Sequence, residues 1–292
     1  SNSERVLPGP RRAIVEVVVT ERDANAVVLD VHVAGDGGAA HDVDKLLREV
    51  AREENVPARV LVTVFVYNEG LKFGSLLEEI PADAPYEVLI LNDGSTDEIG
   101  DYISDTSHTV IENDCNRGLG YSFKRAIRYA IDEGFDIFIP IAGNGKMRPA
   151  EIPSVIAPLL GGEADYVQGS RYLPGGRRDH LPVFRDVMIR LLAWILRIFT
   201  GRRITDSTCG FRAYRLSLFD EIGVDIWQDW LDKYELENYL NYKVLNSEKR
   251  YVEVPVSMIY PESKRNYSKI RPVVGWWSMV KPFIYLTLGI RK

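Results

Sequence analysis

The stretch FDIFIPIAGNGKMRP, residues 135–149, decides the fold class. It begins with an apolar run of strand length and then changes abruptly to Gly, Asn, Lys and Arg before a final proline. A buried parallel strand that ends in a polar loop has this pattern, and ligands of open α/β sheets bind outside the carboxyl ends of such strands. Gly143 and Gly145 allow close approach of a ligand, while Lys146 and Arg148 offer positive charge suited to a phosphate. An ordinary strand-to-helix turn has the same residues, so the neighbouring segments decide between the two.

The composition of the whole chain limits the class of protein. Of 292 residues, 46% are hydrophobic and 27% are charged, which is typical of a globular protein. The formal net charge of −6 argues against general nucleic-acid binding, which usually needs a basic face. Cys115 and Cys209 form neither a metal motif nor a disulfide framework, a usage typical of a reducing compartment. No run of 18 uncharged apolar residues is present, so no membrane-spanning segment is predicted.

Residues 1–58 have the pattern of a small ββα appendage. A polar stretch at 1–11 predicts a loose arm, and two β-branched runs at 13–20 and 26–33 predict a hairpin. Apolar residues at helical spacing then predict a helix over 42–53. The pattern assigns no function to this part of the chain.

From residue 59 to about residue 270, predicted strands alternate with predicted helices, as in an α/β domain with a mostly parallel sheet. Four of the predicted strands lie at 60–66, 86–91, 108–112 and 135–141, and each is followed by a polar loop that contains glycine. Because the carboxyl ends of parallel strands share one edge of a sheet, these loops are expected to converge. The edge that they form would be a nucleotide-sized crevice.

Three residues of these loops have chemistry that suits a nucleotide. Tyr67 offers a ring on which a base can stack, and Asp93 can accept hydrogen bonds from base or ribose donors. Arg117 adds a cation beside them. Taken singly, Asn92-Asp93-Gly94 is more often an ordinary turn, but the order and spacing of the set are more specific than any member.

Five short motifs follow one another in the main domain: VFVYNE at 64–69, NDGSTD at 92–97, NRGLG at 116–120, VQGSRY at 167–172 and DSTCGFR at 206–212. Their order resembles that of the family 2 glycosyltransferases, and the last two are similar to motifs of the polyprenyl-phosphate sugar transferase branch. The resemblance implies a GT-A fold, in which helices flank a mixed, mostly parallel sheet. It also implies a nucleoside-diphosphate sugar donor, a polyprenyl-phosphate or other lipid-linked acceptor, and one inverting step.

The resemblance also assigns donor-binding residues. Phe65, Tyr67, Glu69 and Asp93 would line the nucleoside pocket, with Arg117 beside it.

Other residues are assigned to the phosphates and the acceptor. Arg171 and Arg212, which we predict to be catalytic, would face the phosphates of the donor or an anionic acceptor. Glu235 and Glu237 lie in a segment that resembles a family segment on a helix near the acceptor. Together with Asp206 of the last motif, they are predicted acceptor-binding residues.

The sequence departs from the family where an Asp-x-Asp motif would follow the central strand. Ala142, Gly143 and Asn144 stand at the matching positions. Two carboxylates usually hold a divalent cation against the donor diphosphate there, whereas Asn144 offers only a neutral amide oxygen. Lys146 would instead neutralise the leaving diphosphate as a fixed cation and would be catalytic, with Asn144 beside it in the donor site. We therefore expect transfer without a required metal cofactor. The alternative is Mg²⁺ or Mn²⁺ held with the help of Asn144.

Residues 226–232 bring two carboxylates and two indoles together, among them Asp229 and Trp227. In inverting transferases that act on sugar hydroxyls, a carboxylate in this region serves as general base. Asp229 is therefore a candidate catalytic residue and Trp227 a candidate acceptor contact, although two core indoles beside an exposed aspartate would look the same. A phosphate acceptor is already ionised and needs no base.

Two alternatives to transfer onto a lipid-linked phosphate follow from these features. The first is transfer to a sugar hydroxyl of a growing glycan, with Asp229 as the base. The second is a non-catalytic protein that binds a nucleotide sugar, which the altered Asp-x-Asp positions would explain.

Two apolar segments are relevant to a membrane partner. Residues 185–200 predict a helix that is apolar over much of its circumference and punctuated by arginines, either at a membrane surface or in the core with its arginines reaching solvent. Residues 271–292 form an apolar tail interrupted by Lys281-Pro282, suited to a membrane interface or to the acceptor-binding face. The loop at 173–180 predicts a mobile flap over the donor or a solvated loop. We expect a cytoplasmic protein, peripheral at the inner face of the cell membrane, with no nucleic-acid partner.

Overall fold

The structure is a computed structural model that describes residues 2–6, 14–23, 26–34, 57–104, 106–260 and 274–291. The chain forms two compact units, residues 1–57 and residues 58–292.

The first unit contains a three-stranded antiparallel sheet. Strands β1 (Asn2–Val6), β2 (Ile14–Asp23) and β3 (Ala26–Ala34) pair in the order β1-β2-β3. The predicted β2–β3 hairpin is confirmed, but the prediction of a loose arm at 1–11 is wrong, because residues 2–6 pair with β2. The polar residues of β1 carry no strand pattern of their own, and pairing with the edge of β2 satisfies their backbone groups. The helix predicted at 42–53 lies outside the described residues.

A seven-stranded sheet forms the centre of the second unit. Its strands are β4 (Val60–Val66), β5 (Glu87–Asn92), β6 (Thr109–Glu112), β7 (Ile137–Ala142), β8 (Tyr166–Ser170), β9 (Arg212–Arg215) and β10 (Tyr251–Pro255), in the order β10-β8-β9-β7-β4-β5-β6. Strand β9 is antiparallel to both of its neighbours, and all the other pairs are parallel. The sheet is therefore mixed and mostly parallel, as predicted. Strand β10 lies at one edge of the sheet. An edge strand tolerates Pro255, which has no backbone N–H to donate to a neighbouring strand.

Helices cover both faces of this sheet. They are α1 (Leu71–Glu78), α2 (Ile99–Ser104), α3 (Leu119–Asp132), α4 (Ile152–Leu160), α5 (Val183–Thr200), α6 (Ser217–Glu221), α7 (Glu235–Leu245) and α8 (Val274–Thr287), with 3₁₀ turns at Pro149–Glu151 and Asp229–Leu231. Helix α8 continues through Pro282. Phe283 packs against Tyr242 of α7 at 6.0 Å between ring centroids, and this contact helps to hold the helix at the proline.

Strand β4 shows why the sheet is buried on both faces. Val62 and Val64 enter one core with Phe73 of α1 and residues of α4, whereas Leu61 and Phe65 enter the opposite core with Phe123 of α3 and residues of α7. Successive side chains of a strand point to opposite faces, so a strand between two cores must be apolar throughout. This packing on both faces holds β4 in place between its neighbouring strands. The carboxyl ends of these strands carry the candidate site.

Helix α5 has two apolar faces. Ile189, Leu192, Ala193 and Leu196 are buried, and the last three pack in a small core with Leu245 of α7 and Phe283 of α8. The other face is an exposed apolar stripe, with side chains 45–80% exposed: Val183, Phe184, Val187, Leu191, Trp194, Ile198 and Phe199. Within the described ranges, no helix is both long enough and apolar enough to cross a bilayer.

Candidate donor and phosphate site at the carboxyl edge of the sheet

The loops after β4, β5 and β6 meet at one edge of the sheet, as predicted. The side chain of Asn68 accepts a hydrogen bond from Thr96 N–H at 2.8 Å, and Ser95 Oγ accepts one from Asn68 N–H at 3.0 Å. Asn113 N–H donates to Asn92 O at 2.8 Å. Because these contacts join neighbouring loops, the walls of the crevice are held in place by the protein itself.

Asp93 organises the part of the crevice predicted to hold the nucleoside. It is 7% exposed, and its Oδ1 accepts hydrogen bonds from Asn113 Nδ2 at 2.7 Å and from Arg117 N–H at 2.9 Å. Its Oδ2 accepts one from Gly118 N–H at 3.0 Å, where φ is +99°, a conformation that favours glycine. Oδ2 keeps a second acceptor position, so Asp93 can fix the loop before α3 and still accept a bond from a ligand.

The other predicted donor residues differ in their placement. The ring of Phe65 is 9% exposed and stacks on Phe123 at 5.6 Å, so it belongs to the core beneath the crevice rather than to its lining. This corrects the position expected for Phe65, because strand alternation directs its side chain toward α3. Tyr67 is half-buried at the end of β4, and the carboxylate of Glu69 lies 3.7 Å from Lys72 Nζ.

Arg117 lies exposed at the rim of the crevice. Its guanidinium is 3.3 Å from the carboxylate of Asp114, and this charge lowers the pKa of Asp114. Cys115 between them is also exposed. Gly94 packs so closely on the Cys115 backbone that a Cβ atom would lie 2.4 Å from it, which places this loop directly against the loop after β5.

The positions of the altered Asp-x-Asp motif do not fit a divalent cation. Ala142 and Gly143 have no side-chain ligand, and Asn144 Oδ1 already accepts the Lys146 N–H at 3.2 Å. Across the part of the chain that the structure describes, no three or more His, Cys, Asp or Glu residues are grouped so that they could hold a metal ion. Mg²⁺ and Mn²⁺ prefer several oxygen ligands, and this donor set does not supply them.

Three cations surround the ring of Tyr260, which is 2% exposed. Arg171 Nη1 at the end of β8 donates a hydrogen bond to the Tyr260 hydroxyl at 2.6 Å. Lys146 Nζ lies 5.7 Å from the ring centroid, and the guanidinium carbon of Arg185 on α5 lies 5.6 Å from it. Burial raises the pKa of Tyr260, so it stays a neutral phenol. Neither Tyr260 nor Arg185 was predicted, because no local motif marks either residue.

Arg171 and Asp206 form a buried ion pair. Arg171 Nε and Nη2 donate to the two oxygens of Asp206 at 2.6 and 2.8 Å. Burial alone would lower the pKa of Arg171, but the Asp206 carboxylate reverses this and the pKa is raised. With donors also directed to Thr208 and Tyr260, the guanidinium is not exposed to the crevice. Its direct contact with a phosphate, and that of Asp206 with an acceptor, stay predictions.

Arg212 is likewise enclosed, at 2% exposure. It donates to the backbone oxygens of Cys209 at 2.9 Å and Ser207 at 3.1 Å, and its Nη1 lies 3.3 Å from Glu237 Oε1. It therefore shapes the loop of the last sequence motif and orients Glu237, which remains partly exposed.

The remaining predicted residues lie apart from the Tyr260 cluster. Trp227 is 43% exposed and stacks with Arg128, midway along α3. Glu235 is buried and pairs with Lys281 of α8 at 2.7 Å. Asp229 is exposed at the start of its 3₁₀ turn.

A buried lysine holds the segment that carries Asp229. Lys124 Nζ donates to Gln228 O at 2.9 Å and to Asp232 Oδ1 at 2.5 Å. Tyr121 N–H donates to Asp232 O at 3.0 Å. The segment is thereby fixed on the first turns of α3, beside the loop that Asp93 holds.

The loop at 173–180 is paired rather than free. Arg177 N–H donates to Val256 O at 3.1 Å, and Met258 N–H donates to Arg177 O at 3.0 Å. Tyr260 N–H donates to Asp179 O at 3.1 Å. These backbone bonds tie the loop to the segment that follows β10, and a role as a flap over the donor stays a prediction.

This mixed, mostly parallel sheet with its one antiparallel strand has the architecture of a GT-A fold. Residues 62–223, more than half of the chain, match the family described as "Glycosyl transferase family 2". The chain belongs to this family and is a glycosyltransferase, which confirms the sequence prediction.

Several curated proteins and solved structures are similar to the chain. Undecaprenyl-phosphate mannosyltransferase of Micrococcus luteus is 29% identical over 213 residues, 70% of this chain and 85% of that protein. Polyprenol monophosphomannose synthase of Mycolicibacterium smegmatis is 26% identical over 223 residues, 73% and 83% of the two chains. The crystal structure of glucosyl-3-phosphoglycerate synthase of M. tuberculosis superposes with a TM-score of 0.54 at 19% identity, covering 80% of each chain. At this identity the likeness shows the fold alone.

Proposed function

We propose that the protein transfers a sugar from a nucleoside-diphosphate sugar to a polyprenyl phosphate at the inner face of the cell membrane. The relatives named for undecaprenyl phosphate and polyprenol support this acceptor class, since each aligns with at least 70% of the chain. One structural observation carries the proposal: helix α5 has a cation of the Tyr260 cluster at its start and an exposed apolar stripe along its length. A phosphate joined to a long apolar chain has matching chemistry.

The exposed stripe of α5 supports a lipid surface as partner. Trp194, Ile198 and Phe199 are each about three-fifths exposed, and contiguous exposed apolar surface of this kind marks an interaction site. Helix α8 adds Trp277, and Leu288 follows its last residue; they are 52% and 68% exposed. An amphipathic helix with Trp and Phe on its outer face and arginines beside them suits the interface of an anionic bilayer.

The chemical step follows from the charge of the acceptor. An oxygen of the ionised acceptor phosphate attacks the anomeric carbon and forms the new C–O bond, while the bond from that carbon to the donor diphosphate breaks. The nucleoside diphosphate leaves with the electron pair, and the configuration inverts. No proton has to be removed from the acceptor, so no general base is required.

Lys146 stabilises the leaving group in this proposal. The donor set at Ala142 and Asn144 does not fit a divalent cation, whereas Lys146 lies in the loop after β7 and beside the ring of Tyr260. A fixed cation directed at the developing negative charge lowers the barrier without a metal. At the other end of the crevice, Tyr67 and Asp93 are the proposed contacts of the nucleoside.

The test is transfer of labelled sugar into the organic phase. The full chain is incubated with undecaprenyl phosphate and UDP-, GDP- or dTDP-sugars, in EDTA or in Mg²⁺. We expect one donor to label the lipid equally in both media, and Lys146→Gln to lower the rate by about 100-fold. Lys249→Gln, which removes the same charge at the opposite edge of the sheet, should change it little. Failure of every donor to label the lipid would overturn the proposed acceptor.

Asp229 distinguishes the proposal from transfer to a sugar hydroxyl. Asp229→Asn removes the candidate base and should leave the rate with polyprenyl phosphate within about threefold of the parent, since the acceptor is already ionised. A loss of several hundredfold would favour the hydroxyl acceptor.

A further inference from the structure

The segment 256–260 fastens two loops of the site to each other. Ile259 N–H donates to the backbone oxygen of Lys146 at 3.2 Å, which holds the loop after β7. Tyr260 N–H donates to the backbone oxygen of Asp179 at 3.1 Å, which holds the loop before α5. The two loops bring Lys146 and Arg185 to the same aromatic ring.

The ring of Tyr260 is enclosed and its orientation is fixed. Its hydroxyl is bonded to Arg171, whose guanidinium is in turn held by both oxygens of Asp206. Two further cations, Lys146 and Arg185, each lie within 6 Å of the ring centroid. The negative faces of an aromatic ring attract cations, so the ring holds both side chains near it.

We infer that Tyr260 is a positioning residue that keeps Lys146 and Arg185 together as one binding site for a diphosphate group. The inference rests on the proposed function, which assigns the diphosphate of the donor to this end of the crevice. A diphosphate has oxygens on two phosphorus atoms and can bridge two cations held by one ring. Tyr260 contacts the cations and not the substrate, so its effect is on their placement.

A graded change of the ring tests this role. Tyr260→Phe keeps the ring, and mono-, di- and trifluorophenylalanine at the same position then withdraw electron density from its face with little change in volume. The dissociation constant of inorganic diphosphate is measured by calorimetry on the full chain. We expect it to rise stepwise with each fluorine, by about tenfold over the series. A series of folded proteins with one unchanged dissociation constant would overturn the inference.

Phe138 provides a matched control. It is a fully buried ring that contacts Phe123 at 5.2 Å in the opposite core, and the same fluorination there should leave diphosphate binding unchanged. Equal effects at Phe138 and Tyr260 would mean that fluorination acts through packing, which contradicts the positioning role.

The outcomes separate the inference from the proposed function. If Lys146→Gln weakens diphosphate binding while the fluorine series is flat, the site stands without Tyr260 and the inference fails. If the series is graded but no sugar reaches polyprenyl phosphate, Tyr260 has the inferred role and the proposed acceptor is wrong.

A double-variant comparison adds a further test. In the chain with trifluorophenylalanine at position 260, Lys146→Gln should weaken diphosphate binding less than it does in the parent. An equal effect in the two chains would contradict the inference.

Discussion

Asp206 accepts hydrogen bonds from the guanidinium of Arg171 through both of its carboxylate oxygens, at 2.6 and 2.8 Å, and neither side chain is more than 1% exposed. The pair joins the end of β8 to a loop 35 residues later in the sequence. Removing one partner of such a pair leaves a buried charge without compensation, which is far more destabilising than loss of a surface pair.

Arg171→Met is therefore expected to lower the free energy of unfolding by about 3–5 kcal/mol, as measured by urea denaturation. Adding Asp206→Leu to that chain should recover part of the loss, since no buried charge then remains. The control is Arg250→Met, which breaks an exposed pair with Asp165 at 2.6 Å. This variant should lower the free energy of unfolding by no more than about 1 kcal/mol. Equal losses for Arg171→Met and Arg250→Met would contradict the structural role.

Carboxylates returned to the altered motif should create a metal site. The double variant Ala142→Asp with Asn144→Asp places two oxygen ligands after β7, and we expect calorimetry to detect Mn²⁺ binding that the parent lacks. Sugar transfer by the variant should then respond to EDTA. A parent enzyme that itself loses transfer in EDTA would refute the metal-independent step. Ala142→Asn serves as the control of equal size without charge.

The apolar stripe of α5 predicts binding to lipid vesicles. Trp194→Glu should lower the fraction of protein that sediments with anionic vesicles by about tenfold, because an indole is lost from the interface and a negative charge is added. Leu160→Glu on α4 is the matched control, since Leu160 is 52% exposed and Trp194 is 58% exposed. Similar losses for the two variants would argue against α5 as the contact.

The two cysteines should differ strongly in their reaction with a maleimide. Burial raises the pKa of Cys209 to about 12, so at pH 8 only about one such thiol in ten thousand is a thiolate, whereas Cys115 is exposed. We expect one label per native chain, none in Cys115→Ser, and slower labelling when the bound donor nucleotide covers the loop. Labelling whose rate does not change with saturating donor would place the nucleoside elsewhere.

The pattern of residues in the sequence was enough to predict those elements whose structure depends on residues close to them along the chain. The apolar run of β7 followed by a Gly-rich loop predicted both the strand and its place at the crevice, and the β2–β3 hairpin followed from two β-branched runs. Strand β9 has only four residues, and its antiparallel place between β7 and β8 depends on pairing with residues 44 to 78 positions away in the sequence. Such pairing leaves no periodic trace in so short a segment.

The same distinction applies to the candidate site. Local pattern located Asp93 and Lys146, because each lies in the loop after a recognisable strand. Burial of Arg171 depends on Asp206, and the role of Tyr260 depends on cations from three separate elements, so neither could be deduced from spacing. Phe65 was expected to line the nucleoside pocket because it belongs to the first motif. The alternation of side chains along β4 instead directs its ring into the core.

The antiparallel strand β9 also constrains the order in which the chain can mature during synthesis. Until residues 212–215 have left the ribosome, β7 and β8 have no partner between them, and each exposes a strand edge able to pair with other chains. Strand β9 fills the middle of the sheet, β10 joins its edge later, and the Tyr260 cluster can form only after residue 260 has been added. A nascent chain that has reached α5 already carries the exposed apolar stripe but still lacks β9, so the interval before residue 215 is when the growing polypeptide has most need of a chaperone.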